Sequence, residues 1–285
     1  MIKCPWTLKS YKTKKVDFIM IKLVVSDVDG TLVPDGTFDI DTGIYDVINE
    51  LDKLGITFVA ASGRQYASLR RLFEPVKDKI MYITDNGGFV RDKDGEIWQK
   101  NPMEHKLVNQ LTVDARKIPG INVMLCGRDY AYVSDEDSYV YKWLRDSYRF
   151  DLKAPKDLTK IEDDIVKVSI YHPTDAETVV KEWFYDKWKD KTLIASAGPM
   201  WMDCIREDIN KGTALKFIMD KLGITSDEVM VFGDNINDLE MLELSNHSYA
   251  IGSAREEVKM KAKYVADTMS NQGVIKTIRE KILKM

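Results

Sequence analysis

An apolar run over residues 21–25 ends abruptly in Ser26-Asp27-Val28-Asp29-Gly30-Thr31-Leu32, which sets two carboxylates two residues apart. A short run rich in Val and Ile reads as a strand buried on both faces, the kind found in parallel sheets. In open α/β sheets, ligands bind beyond the carboxyl ends of the strands. Asp27 falls at such an end. Its carboxylate is suited to attack phosphorus and to hold Mg²⁺, a hard cation that takes oxygen ligands. Gly30 lets the chain bend sharply, and Thr31 offers a hydroxyl. Asp and Gly are also ordinary turn formers, so this string alone fits a simple turn equally well.

Three more polar clusters follow apolar runs or open helices. Ser62-Gly63-Arg64 comes directly after the run 56–61 and before a helical segment. A hydroxyl and free N–H groups at a helix start bind anions, and the same Ser can serve as an N-cap. Asn210-Lys211-Gly212-Thr213 opens the amphipathic segment 214–222, where Lys211 could neutralise a phosphoryl group or be a solvated surface residue. Gly233-Asp234-Asn235-Ile236-Asn237-Asp238 follows the run 229–232 and precedes a helical stretch, a strand-to-helix turn with the donors of a cation site. Asp238 equally suits the first turn of that helix.

In this order, the four clusters resemble the four motifs of the haloacid dehalogenase-like hydrolases, and more narrowly the Cof-type phosphatases of subfamily IIB. The likeness runs from about residue 20 to the C-terminus and takes in Ile83-Thr84-Asp85-Asn86-Gly87-Gly88 and Met241-Leu242. It implies that Asp27 is the nucleophile and forms an aspartyl-phosphate. Asp29 would protonate the leaving alcohol and then activate water. Asp27, Asp29 (through its backbone carbonyl) and Asp234 would hold Mg²⁺. Ser62, Lys211, Asn237 and the N–H groups of Val28 and Gly63 would hold the phosphoryl oxygens, with Asp238 orienting Lys211 or a metal-bound water in support. Arg64 is read as pairing with an acidic neighbour on the surface.

The rest of the chain fits an α/β fold. Ile44, Val47, Ile48, Leu51 and Leu54 recur at helical spacing before Gly55, and strand, helix, strand then repeats through residue 84. A hairpin over 89–98 turns at Lys93-Asp94-Gly95. From about residue 101 the pattern changes: helices near 104–117, 138–149 and 176–188, strands 122–126, 131–134, 166–171, 192–195 and 200–205, and a loop over 150–163. The first pattern resumes at Lys211. These spans suggest an N-terminal extension (1–19), a discontinuous Rossmann-like core with a parallel sheet (20–100 and 207–285) and an inserted α+β unit (101–206). The resemblance makes that insert a class IIB cap that closes over the cleft and excludes water. Arg128, Tyr130, Tyr132, Tyr171 and Trp201 are its candidate lining residues, although aromatic side chains in such strands more often pack between sheet and helices.

A formal charge of −4 over 285 residues gives no reason to expect a nucleic-acid partner. No stretch approaches the roughly 18 apolar residues of a membrane span, and residues 1–15 contain no secretory core, so the expected location is cytoplasmic. Cys4, Cys126 and Cys204 lack metal-ligand spacing, and His105, His172 and His247 are scattered. The expected activity is Mg²⁺-dependent hydrolysis of small phosphorylated metabolites such as sugar phosphates. Two other readings share the core: a sugar phosphomutase or phosphotransferase, and a metabolite-binding regulator without turnover. The sequence leaves the oligomeric state open.

Overall fold

The computed structural model describes residues 20–284, so the expected N-terminal extension lies outside the described residues. The strands are β1 Leu23–Asp27, β2 Thr57–Ala61, β3 Ile80–Thr84, β4 Phe89–Arg91, β5 Ile97–Lys100, β6 Asn122–Cys126 and β7 Ala131–Val133. They continue with β8 Leu152–Lys153, β9 Lys167–Tyr171, β10 Leu193–Ser196, β11 Trp201–Ile205, β12 Val229–Gly233, β13 His247–Ala250 and β14 Tyr264–Val265. Eight of them form one sheet in the order β14-β13-β12-β1-β2-β3-β4-β5, and the other six form a second in the order β10-β11-β9-β6-β7-β8.

In the larger sheet, the strands from β14 to β3 run parallel, and β4 and β5 add an antiparallel edge. β1 is central and wholly buried. Its side chains alternate between two cores. Val24 faces Ile44, Val47, Ile48 and Leu51 of the helix Gly43–Lys53, while Leu23 and Val25 face Leu215, Ile218 and Met219 of the helix Lys211–Leu222. Parallel strands covered by helices on both faces need such uninterrupted apolar runs, which is why residues 21–25 are so legible in the sequence.

The register brings the functional clusters to one edge. Asp27 pairs with Ala61 and Ser26 with Phe232, so the residues following β1, β2, β3 and β12 emerge side by side. The helix Lys211–Leu222 is aimed at this edge by a capping box in which the Asn210 side chain accepts from the Thr213 N–H at 2.8 Å.

The smaller sheet is antiparallel apart from β7–β8. Val168, Ile170, Leu125, Met202 and Cys204 face the helices His105–Ala115 and Ala176–Val180. Met124, Cys126, Val133 and Tyr171 face the helix Tyr139–Asp146 and Phe89 of the larger sheet. The fold is thus the expected α/β core with an α/β unit inserted in it. Two local readings change. The 150–163 segment is not all loop: it contains β8 and a short 3₁₀ turn at Leu158–Lys160. The helical segment beginning at Ala176 passes through a π turn at Lys181–Tyr185 before Asp186–Trp188. Among the described residues, no helix is long and apolar enough to cross a membrane.

Candidate active site

At the end of β1, Asp27 Oδ1 accepts a hydrogen bond from Lys211 Nζ at 2.5 Å, while Oδ2 is buried without a partner. The same ammonium donates to Asp238 Oδ1 at 2.7 Å. Asp238 Oδ2 in turn accepts the N–H groups of Asp234 and Asn235, each at 3.0 Å, and so fixes the turn after β12. Asp234 Oδ1 accepts from the Thr31 hydroxyl at 2.8 Å. Gly30 has φ +82°, and a Cβ there would lie 2.8 Å from the Asp234 carboxyl carbon, so only glycine permits the approach of these two turns.

Carboxylate oxygens of Asp27, Asp234 and Asp238 come within 4.8 Å of one another. Burial and the neighbouring Asp238 push Asp27 well above the usual carboxylate range, against the pull of Lys211. Burial also raises Asp234. For Lys211, burial alone would lower the pKa, but attraction to Asp238 and Asp27 outweighs it. Three carboxylates around one ammonium leave negative charge uncompensated, and the unpartnered Asp27 Oδ2 adds a free oxygen donor. This donor set fits a hard divalent cation. Asp238 belongs to this carboxylate cluster, but both of its oxygens already have donors.

The Asp29 carboxylate is turned elsewhere. Arg64 grips it through Nε, at 2.9 Å from Oδ2, and through Nη2, at 2.5 Å from Oδ1, while the Ser62 hydroxyl approaches Oδ2 at 3.3 Å. Arg64 is not on the surface, as the sequence suggested. It is 2% exposed, donates also to the Thr37 carbonyl, and lies between the rings of Phe38 and Tyr148. Asn237 Nδ2 donates to Asn86 Oδ1 at 3.1 Å.

That last contact identifies a component missed as a site: the loop after β3. Asp85, Asn86 and Gly87 all have positive φ, at +51°, +57° and +102°. Glycine adopts this backbone freely, but two successive non-glycine residues there cost free energy unless the surroundings hold them. Here they do. Asp85 N–H donates to the Arg64 carbonyl, and Asn86 N–H to the Ser62 carbonyl. A Cβ at Gly87 would sit 2.8 Å from the Asn210 carbonyl carbon. One loop therefore ties together the ends of β2, β12 and the Lys211 helix. The sequence signal was present in Asp85-Asn86-Gly87, residues that tolerate left-handed backbone.

The inserted sheet closes over this edge. Gln65 accepts the Asp151 N–H at 2.8 Å and donates to the Asp129 and Asp151 carbonyls, and Arg91 reaches Asp129 and the Arg128 carbonyl. Lys167 Nζ approaches the Gly63 carbonyl at 3.4 Å. The five candidate lining residues all have partners within the insert. Tyr171 and Trp201 pack with Trp143, Tyr132 donates to Asp163, Tyr130 lies under Lys153, and Arg128 pairs with Asp129.

Asp85 also has a testable titration. Burial pushes its carboxyl up to about 6 despite the opposing Lys167 charge. A carboxyl raised in the folded state adds stability below its unfolded value, and that contribution is lost as pH rises through the folded one. Asp85→Asn should therefore gain stability relative to the parent between about pH 4 and 6, on the order of 2 kcal/mol. Urea unfolding at both pH values checks this, and a pH-independent difference would refute it.

The sequence matches the family described as haloacid dehalogenase-like hydrolase over residues 24–278. It is 26% identical over 272 residues to the 5-amino-6-(5-phospho-D-ribitylamino)uracil phosphatase YbjI of Escherichia coli, covering 93% of this chain and 97% of that one. The corresponding phosphatase YcsE of Bacillus subtilis is 30% identical, over 92% of this chain and 96% of its own. A solved protein from Eubacterium rectale superposes with a TM-score of 0.84 at 37% identity, covering 92% of this chain and 99% of that one.

Proposed function

The chain belongs to the haloacid dehalogenase-like hydrolases, and from that membership we propose a Mg²⁺-dependent phosphatase that releases phosphate from small sugar-like phosphomonoesters through an aspartyl-phosphate on Asp27. The observation that carries this reading is Asp27 itself: a buried carboxylate at a strand end, one oxygen held by Lys211 and the other free.

In the first step, Asp27 attacks phosphorus, and the bond to the leaving oxygen breaks as that oxygen takes a proton from Asp29. In the second, Asp29 removes a proton from water, which attacks the aspartyl-phosphate and returns Asp27 as a carboxylate. Lys211 balances charge gathering on the phosphoryl oxygens, and Asp238 keeps its ammonium in place. Ser62 and Asn237 are the side-chain donors proposed for those oxygens. Asp27, Asp234 and a backbone carbonyl of Asp29 are the groups proposed to hold Mg²⁺, which when bound supplies positive charge against the carboxylates and the phosphate dianion. Both Asp29 oxygens are occupied by Arg64 and Ser62, so the pair must open before Asp29 transfers a proton.

We take residues 101–206 as a cap, with Gln65 and Arg91 as its closing contacts on the core. The two phosphoribityl-substrate phosphatases above are similar along nearly their whole length, which favours a phosphorylated polyol or sugar as substrate here. The absence of a membrane-length helix among the described residues is compatible with a cytoplasmic enzyme of this kind.

Phosphate release from a panel of sugar, polyol, nucleotide and cofactor monophosphates tests the proposal. Chelation should reduce release at least about a hundredfold, and added Mg²⁺ should restore it. Full activity in chelator would overturn the metal assignment, and isomerised sugar phosphate without net release would indicate a mutase.

A further inference from the structure

The inner face of the inserted sheet carries a buried polar group that the two-step chemistry does not use. Lys167, Ser169 and Asp203 share this face with Cys126, because the register pairs Lys167 with Cys126 and Ser169 with Asp203. Lys167 Nζ lies 3.1 Å from Asp203 Oδ2, and the Ser169 hydroxyl donates to Asp203 Oδ1 at 2.6 Å. Burial alone would discourage the ammonium, but attraction to Asp203 outweighs it. Asp203 is 5% exposed and Lys167 6%. From the core, the Asp85 loop packs on the residue before Lys167, since a Cβ built at Gly88 would lie 2.6 Å from Val166 Cγ2 and 3.2 Å from Asp85 Cβ; Asp85 is 3% exposed, with Oδ1 buried and without a partner.

A buried charge pair is weak evidence for stability, since well-packed apolar residues often serve as well. An unpartnered carboxylate oxygen beside it costs free energy outright. Both features lie where the insert meets the phosphate edge, with Lys167 at 3.4 Å from the Gly63 carbonyl. Two carboxylates and one ammonium leave net negative charge there. That repels a second anionic group on a substrate. A neutral hydroxyl both donates and accepts, so it can satisfy Asp85 Oδ1 and take a hydrogen bond from Lys167.

We propose that Asp85, Lys167 and Asp203 form the subsite for the leaving group, selecting a hydroxyl-bearing carbon chain and disfavouring a second phosphate or carboxylate. Asp85 and Lys167 contact the chain, and Asp203, held by Ser169, positions Lys167. This rests on the phosphatase reading above.

The test compares kcat/KM for a linear pentitol phosphate with that for p-nitrophenyl phosphate, which has no hydroxyl, in the wild type and in Asp85→Asn. Asn tolerates the positive φ at this position. The pentitol-to-nitrophenyl ratio should fall at least about tenfold. Lys167→Met should shift the ratio in the same direction, and should it not fold, Asp85→Asn decides alone. A ratio within twofold of wild type, whatever the absolute rates, overturns the proposal. A wild type that hydrolyses neither ester removes the phosphatase reading, and the subsite is then judged by calorimetric titration with pentitol phosphate and inorganic phosphate. Affinity lost in Asp85→Asn for the pentitol ester alone supports it, and unchanged affinity refutes it.

Discussion

Asp27→Asn is expected to lower phosphate release by at least about 10⁴-fold, the scale of losing a nucleophile that acts in concert with its neighbours. The fold should survive, and the direction of the stability change is itself informative. Burial and Asp238 raise the Asp27 carboxyl, so its contribution to stability is present below the unfolded value and is lost as pH rises through the folded one. In chelator, the Asn variant should therefore gain on the parent from about pH 4 upward. Single-turnover assays and urea titrations read the two effects separately. Turnover above 1% of the parent would remove Asp27 from the nucleophile's place.

Lys211→Met should do the opposite to stability. Its ammonium is 1% exposed and balances Asp27 and Asp238 together, so removing it leaves three neighbouring carboxylates without their cation. Stripping one partner from a buried pair typically costs about 3–5 kcal/mol. The variant should unfold at markedly lower urea in chelator, and Mg²⁺ should raise its midpoint more than it raises the parent's. Turnover should fall about 10²–10³-fold, as for other groups that stabilise transition-state charge. Parent-like stability in chelator would show that the carboxylates are balanced in another way.

How far these residues could be read from the sequence depended on the kind of order that places them. Asp27, Asp234 and Ser62 follow apolar runs, and the rule that parallel strands end at one edge brings them together without any knowledge of side-chain contacts. Asn210 and Thr213 mark the helix that carries Lys211 through a local cap. Arg64 escaped because a cation next to a helix start looks solvated, and only the insert's Tyr148 and the core's Phe38 enclose it. Lys167 and Ser169 escaped for a related reason. They alternate with Val168 and Ile170, so period two correctly divides the strand's faces, but alternation says nothing of what lies above the polar one. Here the core lies above it.

The position of β1 has a consequence for how the chain comes to be folded. Its neighbours are β2, close by in sequence, and β12, which is synthesised about two hundred residues later. Until β12 arrives, one edge of a strand as apolar as Leu-Val-Val is open to any other strand. The six-stranded sheet has no such wait, because all its strands are complete by Ile205. On the ribosome, the insert can therefore fold while the sheet that bears the chemistry is still half built. The segment after the insert, which supplies Lys211 and Asp234, closes the central sheet in the same event that brings these two residues to Asp27, so a chain in which the cluster has assembled is one whose most aggregation-prone edge is already covered.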